Sequence, residues 1–315
     1  MPLEPQEVKG PVFVTGGTGL LGKRIVSSLQ QLRCGVRVLS RRDSHREDRE
    51  GIEFAHGDIT DATLVERAMA GCDAVFHCAA ELYNVDRMHE VNVIGTRNAY
   101  NAARKNRVRF FCHLSSVGVM GKLHERVADE HAPCNPMNPY ERTKLEAELI
   151  VEKGMEGCHS VILRPTNIFS DETFPVESYT SVRRAIRVWL TGQERSHLVY
   201  DADVAAAGIH LLQTSVHKGC EKFIVSSDEE AGGTNADLYA TVRKLLGHRL
   251  TKMRLVCPMQ LAFWYRVLRY GSSNYGDVCY SSRRLSSTGF KMPFGWLEGV
   301  MRAVEHHQRR AKLVN

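Results

Sequence analysis

Three side chains in the middle of the chain have the types and spacing needed to move a proton at a carbonyl or an alcohol. Tyr140 and Lys144 stand four apart in "PYERTK", which puts them on one face of a helix, one turn from each other. A cation beside a phenol favours the phenolate, so Tyr140 is expected to titrate closer to neutrality and to exchange protons with a substrate oxygen. Ser116 closes the apolar run "FFCHLSS". A hydroxyl there would project over the C-terminal edge of a sheet, where ligands bind in open α/β folds.

A second chemistry is written near the start. In "TGGTGLLG", residues 15–22, Gly16, Gly17, Gly19 and Gly22 follow the apolar run "PVFVT" and lead into helix-forming sequence through Leu20 and Leu21. A tight turn after a strand, a close approach of backbone to a pyrophosphate and close packing of the next helix each exclude a Cβ. The free N–H groups and positive dipole of that helix start then suit phosphate. Such a turn marks a dinucleotide site when it follows the first strand. Eighteen residues past Gly22, where an acidic residue would take the ribose hydroxyls of NAD, the chain has Ser40, Arg41 and Arg42. Two guanidiniums and no carboxylate fit a 2′-phosphate, so NADP(H) is favoured over NAD(H).

These groups need a scaffold, and the sequence outlines one. Strand-like runs at 11–15, 35–40, 52–58, 74–80, 110–116, 160–166 and 221–227 alternate with helical patterns at 20–33, 61–71, 92–106, 139–154 and 201–213. That order predicts an α/β fold, a doubly wound parallel sheet with a smaller, mostly helical C-terminal lobe. Residues 1–170 with 198–232 are expected to bind the dinucleotide, and 171–197 with 233–315 the substrate. His77 and His113 lie among apolar strand residues and read as buried structural groups; Cys78 and Cys112 read as packing residues.

Composition removes several classes. At 43% hydrophobic and 25% charged the chain is ordinary for a globular enzyme, and a net charge of +6 with mostly dispersed basic residues does not suggest nucleic-acid binding. Nine cysteines, an odd number without a C-x-x-C pair, fit reduced thiols in the cytoplasm and no metal site. "MPLEPQEVKG" lacks the apolar core of a signal peptide, and "LVCPMQLAFWYRVL" (255–268) is too short to span a bilayer. The latter reads as a buried or substrate-facing helix, with no stable membrane insertion expected.

With the glycine turn, Ser116, Tyr140 and Lys144 in order, the chain resembles the extended branch of the short-chain dehydrogenase/reductase superfamily over roughly residues 10 to 230. "TGGTGLLG" looks like its T-G-x-x-G-x-x-G turn, with Gly16, Gly19 and Gly22 as the family's glycines. The resemblance implies a Rossmann sheet, with Asp58 and Ile59 of "GDITD" beside the adenine and Cys78, Ala79 and Ala80 of "FHCAA" along the nicotinamide-side ribose. Asn92 of "EVNVIGT" matches a structural asparagine grouped with the cofactor-binding set, and Pro165 of "LRPTNIF" lies in the segment that closes over the nicotinamide. Tyr140 would exchange the proton, Lys144 lower the tyrosine pKa and hold the ribose, and Ser116 hydrogen-bond the reacting oxygen. A homodimer is implied, through helices at 92–106 and 138–154.

Departures narrow the chemistry. Val119-Met120-Gly121 stands where many members read V-Y-G, and Val117-Gly118 where the 4,6-dehydratases carry an Asp-Glu pair. Hydride transfer without dehydration or decarboxylation is therefore expected. Three classes remain: a ketone reductase or alcohol dehydrogenase acting on a sugar nucleotide or a sterol-like or flavonol-like carbonyl; a nucleotide-sugar epimerase with retained NAD, clamping a diphosphate with Arg183, Arg184 and Arg187; and a dinucleotide sensor without activity. The intact Ser116, Tyr140 and Lys144 set argues against the last.

Overall fold

The computed structural model describes residues 8–41, 51–214, 219–248 and 277–314, together with Leu261, Trp264, Tyr265, Val267 and Leu268. Arg42 and most of 255–268 lie outside the described residues.

The strands are β1 (Val12–Thr15), β2 (Val36–Ser40), β3 (Ile52–His56), β4 (Ala74–His77), β5 (Phe110–Leu114), β6 (Val127–Ala128), β7 (His159–Pro165), β8 (Asn167–Phe169), β9 (Leu198–Tyr200), β10 (Cys220–Val225) and β11 (Cys279–Tyr280). Seven form one sheet in the order β10-β7-β5-β4-β1-β2-β3, with every pairing parallel. The chain runs outward from β1 to β3 and returns on the other side as β4. The C-terminal ends of β1 and β4 thus flank the point where the strand order reverses, the place where open α/β sheets bind ligands.

Alternation along β1 explains the two layers. Val12 and Val14 face a core built with Leu21, Ile25 and Leu29 of α1 (Leu20–Gln31) and with Val204 and Leu211 of α7 (Asp201–Gln213). Phe13 faces the other way, onto Val65 of α2 (Ala62–Ala68), Ala99 and Ala103 of α4 (Gly95–Lys105), and Val151 of α5 (Pro139–Val151). A side-chain period of two feeding two buried faces is the mark of a parallel sheet covered on both sides. Each such side chain contributes about 1.5–3 kcal/mol through burial.

The helix expected over 92–106 begins earlier. A short α3 (Val85–Met88) continues through a π-helical stretch, His89–Ile94, into α4. Single π turns widen a helix locally and often sit at functional sites; here the wide stretch carries Asn92.

The C-terminal region has a core of its own. Phe169, Phe174, Tyr179 and Tyr200 pack with Leu238 and Val242 of α8 (Asn235–Leu245) and with Trp296 and Val300 of the last helix, Gly295–Val314. The buried Asp203 carboxylate ties that helix down, accepting from the Phe294 and Gly295 N–H groups at 2.9 Å each. In 255–268, read from sequence as buried or substrate-facing, Leu261, Trp264 and Leu268 are not buried but exposed, at 53%, 60% and 85%. Apolar content alone does not say which apolar face finds a partner within the chain.

Candidate active site

The glycine turn sits where the strand order reverses. Gly16 has φ +67°, and a Cβ on it would lie 2.7 Å from the Ala79 amide nitrogen at the end of β4. A Cβ on Gly22 would run into the Gly16 carbonyl. These two glycines lock the turn against β4 and α1 against the turn. Gly19 is exposed, with only the Gly16 carbonyl 3.2 Å from its missing Cβ, so it leaves the bare surface on which a ligand can close. Leu21 is 4% exposed and belongs to the core. Its side chain is therefore withdrawn from the cleft, and only its backbone can serve a ligand.

The candidate acid–base residues come from the start of α5. Asn138 caps it, its side-chain oxygen accepting from the Glu141 N–H at 2.9 Å, and Pro139 takes the first turn, where its missing N–H costs nothing. That phase leaves Tyr140 half-buried and buries Lys144, whose Nζ donates to the Leu114 carbonyl at the end of β5. Ser116 lies just beyond β5 and caps a short turn, its Oγ accepting from the Gly118 N–H at 3.0 Å.

Asn92 joins these pieces. Its Oδ1 accepts from the Glu81 N–H at 2.7 Å, and its Nδ2 donates to the Glu81 carbonyl and to Thr143 Oγ1, both at 3.0 Å. Thr143 Oγ1 in turn donates to the Tyr140 carbonyl at 2.9 Å. At 1% exposure, Asn92 is a brace between the segment after β4 and α5, as the structural asparagine of the family pattern would be. Ile59, at 5%, and Pro165 are buried as well.

Burial sets the protonation states. Tyr140 is pushed up to about 12 by desolvation, with the Glu141 charge adding to the effect. Lys144 is pulled down to about 8, mainly by desolvation and against the pull of Glu148. The expected lowering of the tyrosine by its lysine is therefore not what this structure gives: desolvation is the largest influence on each group. At neutral pH Tyr140 is a phenol, a proton donor.

The family model for the NAD dependent epimerase/dehydratase family matches residues 12–225. This chain belongs to that family. It is similar, at 34% identity over 265 residues (79% of this chain, 78% of the relative), to sterol demethylase protein B of Methylococcus capsulatus. It is also similar, at 30% over 275 residues (79% and 73%), to the 3 beta-hydroxysteroid dehydrogenase/Delta 5-->4-isomerase of Mycobacterium tuberculosis. Several dTDP-glucose 4,6-dehydratases match too. Among solved structures, a short-chain dehydrogenase/reductase superfamily protein from Agrobacterium tumefaciens with bound NAD matches with a TM-score of 0.74, covering 96% of this chain and 98% of that one at 23% identity. That likeness concerns the fold.

Within the family's frame, two features escaped the sequence reading. The first is the Glu141 carboxylate, which the fold and not sequence distance brings beside Ser116. The position a Cβ on Gly118 would take lies 3.3 Å from Ser116 Oγ, 3.2 Å from Glu141 Cγ and 3.4 Å from Glu141 Oε1. A carboxylate thus fills the space a side chain at 118 would use, its Oε2 anchored by the Met137 N–H at 2.6 Å. The clue in the sequence was the Asn138-Pro139 helix start, which fixes where residue 141 points. The second feature is a buried ion pair behind the site. Arg164 Nε and Nη2 meet Glu148 Oε1 and Oε2 at 3.0 and 2.6 Å, both side chains fully buried, clipping α5 to β7.

Other residues are placed as follows. Arg41 is exposed at the end of β2, and its charge helps to hold the Glu81 carboxyl below its usual range, behind hydrogen bonds from the Asn84 and Tyr83 backbone. Asp58 meets Arg87 at 3.4 Å and is lowered by hydrogen bonds from Thr60 and Arg87 that outweigh its burial. Of the three arginines of α6 (Val182–Thr191), Arg184 turns inward onto Tyr179, while Arg183 and Arg187 stay exposed. A cavity of about 850 Å³ lies away from Tyr140, between α1 and the last helix, and meets the glycine turn only at Leu20. His77 is locked between Thr15 and Thr96 hydroxyls at 2.8 and 2.9 Å, and His113 stacks on it at 5.4 Å.

Proposed function

We propose that this chain is an NAD(P)-dependent ketone reductase or alcohol dehydrogenase in which Tyr140 is the acid/base. The observation that carries this reading is the half-buried Tyr140 phenol at the start of α5, pushed up to about 12 by desolvation. Ser116 and Glu141 share the surface of Gly118 beside it, and the bare Gly16–Gly19–Gly22 turn lies at the β1 and β4 ends. A phenol that keeps its proton at neutral pH suits reduction, in which the nascent alkoxide takes that proton.

The site accommodates a dinucleotide: Gly19 leaves open the space its side chain would fill, and the start of α1 offers N–H groups to phosphate. When bound, that group supplies or accepts hydride at its nicotinamide. Arg41 reaches toward a 2′-phosphate, Asp58 flanks the adenine, and the segment Cys78–Ala80 lines a ribose. Lys144 holds that ribose and keeps α5 on the Leu114 carbonyl. Ser116 hydrogen-bonds the reacting oxygen.

Residues 171–197 with 233–315 receive the substrate. Sterol and steroid relatives covering 79% of the chain support an apolar ketone or alcohol. A diphosphate clamp on α6 is weakened by Arg184, which is spent on Tyr179. Glu141 supplies one carboxylate beside Ser116, whereas elimination takes an acid and a base, so dehydration is not part of the reading. A product lighter by one water from nucleotide sugars would overturn that last point. The protein acts in the cytoplasm as a homodimer through α4 and α5, where Leu149 is 54% exposed; a monomeric mass in solution would refute the dimer.

The test is direct. NADPH and NADH are titrated into the purified protein and into Arg41→Ala, and oxidation is followed with ketosteroids and other apolar ketones. NADPH should bind more tightly, by about tenfold, the worth of one charge-assisted phosphate contact, and Arg41→Ala should erase the gap. Equal affinities in the parent remove the NADPH preference. Tightly retained NAD(H) with no ketone turnover would point to an epimerase.

A further inference from the structure

The outward face of α6 is apolar. Val182, Ile186 and Trp189 are 75%, 55% and 38% exposed, and their spacing of four and three puts them in one stripe. Arg183 and Arg187 follow one position around the helix, both exposed, and neither guanidinium has an ionic or hydrogen-bonding partner among the described residues. The inner face is secured. Ser181 caps the helix by accepting from the Arg184 N–H at 3.2 Å, Arg184 donates to Tyr179 Oη at 2.6 Å and lies 4.3 Å from its ring centre, and Thr191 is buried. The exposed stripe therefore belongs to an ordered helix. α6 contains no acidic residue; Glu177, in the turn before it, sits 3.8 Å from His307.

Leu261, Trp264 and Leu268 repeat this chemistry at 53%, 60% and 85% exposure. Residues 249–276 hold Arg249, Lys252, Arg254, Arg266 and Arg269 and no Asp or Glu. The net charge of +6 is thus concentrated in the same half of the chain as the two apolar stripes.

We propose that α6 docks this protein on an anionic phospholipid surface. Val182, Ile186 and Trp189 enter the boundary between headgroups and acyl chains, while Arg183 and Arg187 meet lipid phosphates at its edge. Tryptophan and arginine on one short helix fit a water–lipid interface better than a second protein surface, where unpaired arginines would need acidic partners that α6 does not carry. The association is peripheral, since among the described residues no helix is long and apolar enough to cross a membrane. It does not depend on the reading of the active site, though an apolar substrate dissolved in lipid would be within reach.

The test is co-sedimentation of the full chain with vesicles of phosphatidylcholine, with and without phosphatidylglycerol, at low and high salt. Binding should require phosphatidylglycerol and weaken with salt. Arg183→Ala and Arg187→Ala should each lose about fivefold in affinity, and Ile186→Asp more than tenfold, with melting temperature and NAD(P)H binding unchanged. Equal binding to both vesicles, or an Ile186→Asp variant that still sediments, overturns the proposal. So does a parent that ignores vesicles but dimerises through a contact that Ile186→Asp dissolves, which would make a second copy the occupant. Loss of NADPH turnover in Tyr140→Phe leaves the vesicle result untouched, so the two readings fail separately.

Discussion

Arg164 on β7 and Arg187 on α6 are the same residue type in opposite settings. Arg164 is fully buried, with both Glu148 oxygens in reach and further donors on the Glu130 carbonyl and Cys134 sulfur. Arg187 is exposed, beside bare apolar side chains. In the sheet half, the Arg164 charge is taken out of water and paired, because an unpaired buried charge costs several kcal/mol. The partners it finds there fix α5, and with it Tyr140. On α6, Arg183 and Arg187 face outward instead, and the apolar side chains of Val182 and Ile186 beside them are uncovered. One half holds its chemistry rigid; the other offers a surface.

The largest effect should come from the rigid half. Tyr140→Phe removes one hydroxyl and should cut turnover by about two to four orders of magnitude, the usual worth of a positioned acid–base group, while NADPH binding stays near parental. Near-parental turnover would hand the proton to another group, and Glu141 would be the first to examine.

Next is the brace. Glu148→Leu strands the Arg164 guanidinium in the core and should destabilise the protein by about 3–5 kcal/mol in urea unfolding. A loss under 1 kcal/mol would mean that the two arginines differ less than their burial implies.

Lys144 tests the same half through pH. In the unfolded chain its ammonium titrates near 10.5, and in the folded one near 8. Below pH 8 both states hold the proton, and folding carries the full cost of a buried cation. Between 8 and 10.5 only the unfolded state keeps it, so this contribution makes the fold more stable as pH rises. Lys144→Met should then be more stable than the parent at pH 7 by on the order of 2–3 kcal/mol, at about 1.4 kcal/mol per unit. That advantage should close by pH 10.5. A gap that does not move with pH would show that the lysine folds with its charge compensated.

The smallest effect belongs to the outward face. Ile186→Ser should change urea stability by less than about 0.5 kcal/mol, as substitutions on an unpacked surface do. A cost near that of a core truncation would mean that α6 packs against the chain after all and would erase the contrast.

Much of the sheet half was legible because its signals are local. The seven sheet strands match the apolar runs read from sequence, β7 and β10 starting one residue earlier, and the helices at 20–33, 61–71 and 139–154 contain α1, α2 and α5 with fraying of a few residues. The two- and three-residue strands β6, β8, β9 and β11 went unread, since so few residues show no period. At the site, Gly16 and Gly22 could be named from spacing because a turn and a helix crossing exclude a Cβ wherever they occur. Asn92 could be marked from its motif, but its partners Glu81 and Thr143 could not, since a motif match does not reveal which way a side chain faces. Arg183, Arg184 and Arg187 were read as one group; the phase of α6 on Tyr179 split them.

The sequence by itself determined the alternation of strands and helices, the bare turn after β1 and the one-turn pairing of Tyr140 with Lys144, all of which depend on neighbours a few residues away. Tertiary structure decided the rest: the carboxylate of Glu141 beside Ser116, the Glu148–Arg164 brace, the desolvation that raises the Tyr140 phenol, and the apolar face that α6 leaves uncovered. Desolvation and partnership depend on what the whole fold places around a group, and no local pattern carries that information.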